Sequence, residues 1–128
     1  MNFNTIRTHT AFEDDDIRNL ALSVIDLKSN GLVQYWNTVA FIFLCACIRH
    51  TVHTHPSLEA SLNDIDQQLT GSLDSLLNEM KSSKIKSVSE TTLTMLNRPE
   101  TERQIVLDKI QNSIKHYNRR QNTDKLTV

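Results

Sequence analysis

The groups best able to do chemistry in this chain stand together in one short stretch, Arg49-His50-Thr51-Val52-His53-Thr54-His55. A guanidinium grips phosphate or carboxylate with paired N–H donors, and an imidazole moves protons or ligates a metal near neutral pH. His50 and His53 are three apart, a spacing that puts both on one helix face. With His55 they would offer three metal ligands. A tetrahedral site needs four, and no Asp, Glu or Cys stands at a local ligand spacing. The metal reading of His50, His53 and His55 therefore needs ligands from elsewhere in the chain or from a second subunit. The plainer expectation is a helix terminus. Arg49 and the imidazoles would satisfy the last carbonyls and complement the negative end of the helix dipole. No cofactor is expected.

The same residues give Arg49-x5-His55, with polar His50 after the arginine. This resembles the R-x4–6-H motif of the HEPN superfamily, small helical dimers that include metal-independent ribonucleases. The resemblance covers seven residues. It implies that Arg49 and His55 of two subunits would face an RNA phosphate and activate the 2′-hydroxyl.

Two basic patches could also meet phosphates. Lys81, Lys84 and Lys86 lie in Ser-rich sequence, and Arg119, Arg120 and Lys125 lie near the C-terminal end. No aromatic residue interleaves them, as stacking on single strands would require. Glu13-Asp14-Asp15-Asp16 is an acidic run whose carboxylates would accept from the free N–H groups of a helix start. No phosphate loop, nucleophile elbow, zinc-protease helix or dinucleotide fingerprint is present.

The elements that position these groups follow from periodicity and punctuation. The 128 residues hold two Gly and two Pro, too few for the many tight turns of an all-β domain. Residues 1–12 lack periodicity and are expected as a flexible or loosely docked segment. A first helix opens at Glu13 and carries Ile17, Leu20, Ala21, Val24 and Ile25 at helical spacing. Ser29-Asn30-Gly31 is its expected stop, with Gly31 suited to a left-handed cap. A second helix, about residues 32–53, becomes apolar all round over ten residues, Val39 to Ile48. Such a helix must be enclosed by other elements. The ten-residue run is shorter than the ~20 residues a bilayer needs, so no membrane span is expected. Cys45 and Cys47 lie within it, two apart and facing different ways, as buried reduced thiols.

A third helix is expected from Pro56 or Ser57 to Met80, with Gly71 as its weak point. A fourth would cover Ile85 to Leu96. Pro99 suits the first position of a last helix, whose stripe is Leu107, Ile110, Ile114 and Tyr117. Residues 118–128 are expected as a polar, basic tail.

The expected architecture is all-α: one compact bundle of four to five helices over residues 13–117, with the hydrophobic helix at its centre. Charge is uneven. Residues 1–80 hold four basic and ten acidic groups, and residues 81–128 hold ten and five, so the two parts attract each other within or between chains. The leading functional expectation is a small, non-enzymatic, cytoplasmic interaction or regulatory protein, forming a homo-oligomer such as a dimer or binding a protein partner. Tyr35, Trp36, Leu62, Leu69 and Leu76 are its candidate interface. The alternative is a nucleic-acid-directed protein, binding through Lys81, Lys84, Lys86, Arg119 and Arg120 or cleaving RNA with Arg49 and His55.

Overall fold

Helix starts and stops in this chain are set by a few residues, and they divide it more finely than periodicity alone suggests. The structure is a computed structural model that describes residues 3–55 and 61–126. A 3-10 turn, Phe3–Thr5, precedes α1 (Glu13–Val24), α2 (Gly31–Thr54), α3 (Leu62–Gly71), α4 (Leu73–Lys81), α5 (Lys86–Leu96) and α6 (Glu100–Leu126). The described residues are all-helical, with six α-helices rather than four or five. The extra helix comes from a break at Gly71-Ser72. Glycine is costly in a helix interior, and Ser72 leaves the helical region at φ −140° and ψ 35°. The helix expected from Pro56 or Ser57 thus becomes α3 and α4. The start of α3 is set by Ser61, whose hydroxyl accepts from Asn63 N–H while the Asp64 carboxylate accepts from the Ser61 N–H, a reciprocal capping box. Its expected opening at Pro56, Ser57 and Leu58 lies outside the described residues.

Gly31 does take the left-handed region, at φ +64°. It serves there as the first residue of α2 rather than as the stop of α1, which ends when Ile25 turns extended. A Cβ at Gly31 would meet nothing within 4 Å, so the backbone angle alone is what favours glycine.

α2 is the hub. It packs against α1, α3, α5 and α6, while α6 reaches α1, α2 and α3, and α4 joins α3 to α5. Phe43, Leu44, Cys47 and Ile48 of α2 are buried, as are Ile17 of α1, Ile65 of α3, Met80 of α4, Val88 of α5, and Val106, Ile110 and Ile114 of α6. Thr51 and Thr92 are buried too; each hydroxyl donates back to the carbonyl four residues earlier, Cys47 and Val88, so neither polar group is orphaned. As a whole, α2 exceeds the ten-residue apolar run and is long and apolar enough by length and composition to cross a membrane; 39% of its most apolar window is buried in this fold.

Both ends of the described chain are tied in. Residues 3–12, expected as a loose segment, bury Phe3 and Ile6 in the core. Residues 118–126, expected as a tail, continue α6. Asn118 donates to Asn63 at the start of α3 (2.8 Å), and Arg120 donates to the Ser23 carbonyl in the last turn of α1 (3.0 Å). A cation at a helix C-terminus is favourable because unsatisfied carbonyls concentrate there.

Candidate functional site

The acidic run of α1 and the cationic end of α2, 36 residues apart in sequence, meet in space. α1 and α2 form an antiparallel hairpin, which brings the first turn of α1 beside the last turns of α2. Glu13 is the centre of the meeting. One carboxylate oxygen accepts from Arg49 Nη1 at 2.8 Å; the other accepts from the His9 backbone N–H at 3.0 Å and lies 2.8 Å from His53 Nε2. The second guanidinium arm of Arg49 donates to Asp14. His9 and His53 meet edge to face at 4.6 Å. His9 holds φ +64°, an uncommon conformation for a residue with a Cβ; the turn it makes delivers its N–H to Glu13. Charge-assisted bonds of this kind satisfy a nearly buried carboxylate fully.

Asp16 extends the cluster outward. It accepts from the Arg7 backbone N–H and from two guanidinium nitrogens, at 2.8–2.9 Å. The Arg7 side chain beside it holds the Asp16 carboxyl down at about 2 and pushes the guanidinium's own pKa up.

These contacts revise the sequence reading of the cluster. Arg49 does not cap α2: its guanidinium turns to Glu13 and Asp14 instead, while the Thr51 carbonyl in the last turn accepts from the His55 N–H. The acidic run does not cap α1 through its side chains either, since no side-chain cap bond forms at Phe12. His50 and His53 share a helix but diverge, His50 Nε2 lying 3.4 Å from Glu79 of α4 and His53 facing Glu13. Among the described residues, no three of His, Cys, Asp and Glu are grouped to hold a metal ion. His55 is exposed at the C-cap of α2. Both arms of Arg49 are held by carboxylates, whereas a phosphate-gripping arginine presents its fork to the ligand. Glu13, which organises the cluster, is the residue that sequence reading placed in a lesser role. Its signal was present: two opposite charge runs at the ends of consecutive helices that must fold back on each other.

The other candidate residues are scattered. Leu62, Leu69 and Leu76 are buried in this chain's own core. Lys81, Lys84 and Lys86 are exposed around the turn between α4 and α5, with Lys86 3.7 Å from Glu90. Arg119 is exposed on α6. Arg120 is held on Ser23 and lies over the Tyr117 ring, 5.9 Å from its centroid. Tyr35 and Trp36 stack edge to face at 4.9 Å near the start of α2. Arg98, in the turn between α5 and α6, reaches the Tyr35 hydroxyl at 3.3 Å and pairs with Glu102 at 3.0 Å; the Tyr35 hydroxyl raises the Arg98 pKa.

What the charged cluster lacks, the middle of α2 has: surface without a partner. Ile42 is 50% exposed within a run whose neighbours Phe41 and Phe43 are buried. Two clefts flank it. One, of about 310 Å³, runs between α2 and α5 along Val39, Ile42, Phe43, Thr94, Met95 and Arg98. The other, of about 280 Å³, continues past Ile42 to Cys45, Arg49, Asp14 and Arg18. Thr91 of α5 lines both. Burial pushes the Cys45 thiol up to about 11 and the Cys47 thiol higher still, so neither is a ready nucleophile.

No family model matches the chain, and no solved structure matches it. Among curated proteins it is similar to the conjugal transfer protein TraG of Escherichia coli. The likeness is 28% identity over 114 residues, covering 80% of this chain and 18% of that protein. This chain spans less than a fifth of that relative's length.

Proposed function

We propose that this chain is a small, non-enzymatic helical interaction protein that self-associates or docks on a protein partner through the open face of α2. One observation carries the reading: a half-exposed Ile42 in the middle of the most apolar helix, flanked on both sides by clefts. An exposed apolar patch rimmed by polar groups is the usual mark of an interaction site. Leu32 (77% exposed), Val33 and Tyr35 add to it at the N-terminal end of the same helix. Further support is negative in kind. The most reactive groups, Arg49 and His53, are spent on holding α1 against α2. The relative's name ties it to conjugal transfer, and we place this chain in a process of that kind, as an adaptor rather than a catalyst.

Light scattering across micromolar concentrations, with and without RNA in chelator, tests the proposal. The expected result is a mass above that of a monomer which RNA does not change, with the RNA left intact. Degradation of RNA by the parent that disappears in Arg49→Ala and His55→Ala would overturn it in favour of the ribonuclease alternative.

A further inference from the structure

From the pattern along α2, we infer that the occupant of this face is a second copy of the chain, lying antiparallel about a two-fold axis at Ile42. The inference rests on the interaction reading above and names its partner. α2 runs from Gly31 to Thr54, so Ile42 stands at its midpoint. Tyr35, Thr38, Ile42, Cys45 and Arg49 follow one another at alternating spacings of three and four. That is the seam along which two helices pack side by side. Every one of these positions is exposed or half-buried, while their neighbours Ala40, Phe41, Phe43, Leu44, Ala46, Cys47 and Ile48 are buried in the chain's own core. The seam is apolar at its centre and polar at its ends, which is what an isologous contact needs: the same surface must serve both partners.

The ends of the seam are also complementary to each other. Around Ile42 as centre, Val39 of one copy meets Cys45 of the other, and Tyr35 meets Arg49. At the Tyr35 end stands the Arg98 guanidinium, bonded to the Tyr35 hydroxyl oxygen and leaving that hydroxyl free to donate. At the Arg49 end stands Asp14, whose carboxylate is 72% exposed, with exposed Asp15 beside it. An antiparallel pair sets Arg98 and Tyr35 of each copy against the exposed Asp14 and Asp15 of the other, twice over, extending the existing Arg98–Glu102 and Arg49–Asp14 pairs into a network of alternating charge. A parallel pair would set Arg98 against Arg98 and Asp14 against Asp14, and like charges in apposition disfavour it. The clefts on either side of Ile42 give the side chains of a facing helix somewhere to enter.

The test uses the full chain with Cys45→Ser as background, so that added thiols report alone. Ile42→Cys should cross-link to itself through a short bismaleimide, giving a covalent dimer, while Leu22→Cys, exposed on the α1 surface away from α2, should not. Ile42→Glu should weaken the dimer at least tenfold by light scattering with the helical spectrum unchanged, since half of that side chain already faces solvent. Asp14→Arg should weaken it too, and Asp14→Arg combined with Arg98→Asp should restore part of the loss. A dimer that survives Ile42→Glu, or that cross-links at Leu22→Cys as well as at Ile42→Cys, overturns this geometry and leaves the interaction reading standing. A strict monomer at high micromolar concentration, with parent but not Ile42→Glu floating on anionic phospholipid vesicles, overturns both, because lipid would then cover the face.

Discussion

The two ends of the story of α2 are its last turns, around Arg49 and His53, and its middle, around Ile42. The last turns carry three groups able to bind or move protons, and each is matched to a carboxylate: Arg49 to Glu13 and Asp14, His53 to Glu13, His50 to Glu79. The middle carries no charged group, and its two thiols are held protonated by burial, yet it has apolar surface that nothing among the described residues covers. Chemical potential and unmet need lie in different places. Residue type says which groups could act; only the count of partners says which remain free to do so. In this chain the matched region ties α1 to α2, and the open apolar surface is where the proposed partner would gain its binding energy.

The contrast is sharpest within three residues of one helix. Leu44→Ala removes a fully buried side chain and is expected to cost about 2–5 kcal/mol in chemical denaturation. Ile42→Ala, two residues away, is expected to cost under ~1 kcal/mol in the same measurement on dilute protein. Equal losses at both positions would erase the distinction between a covered and an open side of α2. At the matched end, Glu13→Gln keeps the shape but turns one acceptor oxygen into a donor aimed at a donor. The expected loss is about 1–3 kcal/mol by the same assay. A neutral Glu13→Gln would show that the cluster is ornament on an α1–α2 contact held by Ile17, Ala21 and their apolar neighbours.

The smallest effect is one of pH. The Asp16 carboxyl is lowered from 3.8 to about 2 in the fold by the Arg7 side chain. A depressed carboxyl stabilises the fold above its unfolded value, and that contribution is lost as the pH falls from about 3.8 through about 2. Asp16→Asn should flatten the stability-against-pH curve in that window and leave it unchanged near neutrality except for a constant offset. The pair is exposed, so salt should shrink the difference.

Much of the fold was legible because it rests on local signals. The apolar run marked α2 as the hub, and Pro99 with Glu100 and Glu102 marked the start of α6. Gly71 marked the weak point at which one expected helix became two. What was not legible depends on specific side-chain pairings, some local and some between distant residues. Ser61 and Asp64 set the start of α3 through a side-chain exchange that periodicity does not register. Asn118 and Arg120 hold the end of α6 by bonds to residues 55 and 97 positions away, so a polar stretch that looks unstructured stays helical. The candidate site was half visible: the cations at Arg49 and His53 stood out, but their partner Glu13 looked like a helix cap until the hairpin brought it across. Ile42 gave no signal, since an exposed isoleucine inside a buried run looks like every other residue of that run.

The length of α6 has a consequence for how the chain reaches this state. At 27 residues it spans roughly 40 Å, and it lies against α1, α2 and α3 at once. Those three helices are synthesised first, but each presents an apolar stripe whose cover is still inside the ribosome. The core therefore closes late, on a single long element that links the beginning of the chain to its end. Such a topology trades early, stepwise assembly for one concerted closure, because loops must be shut across most of the sequence before the contacts reward it. In the interval the nascent hairpin of α1 and α2 has its own apolar contact through Ile17 and Ala21, and the charged clasp of Glu13 and Asp14 on Arg49 and His53 fixes the register.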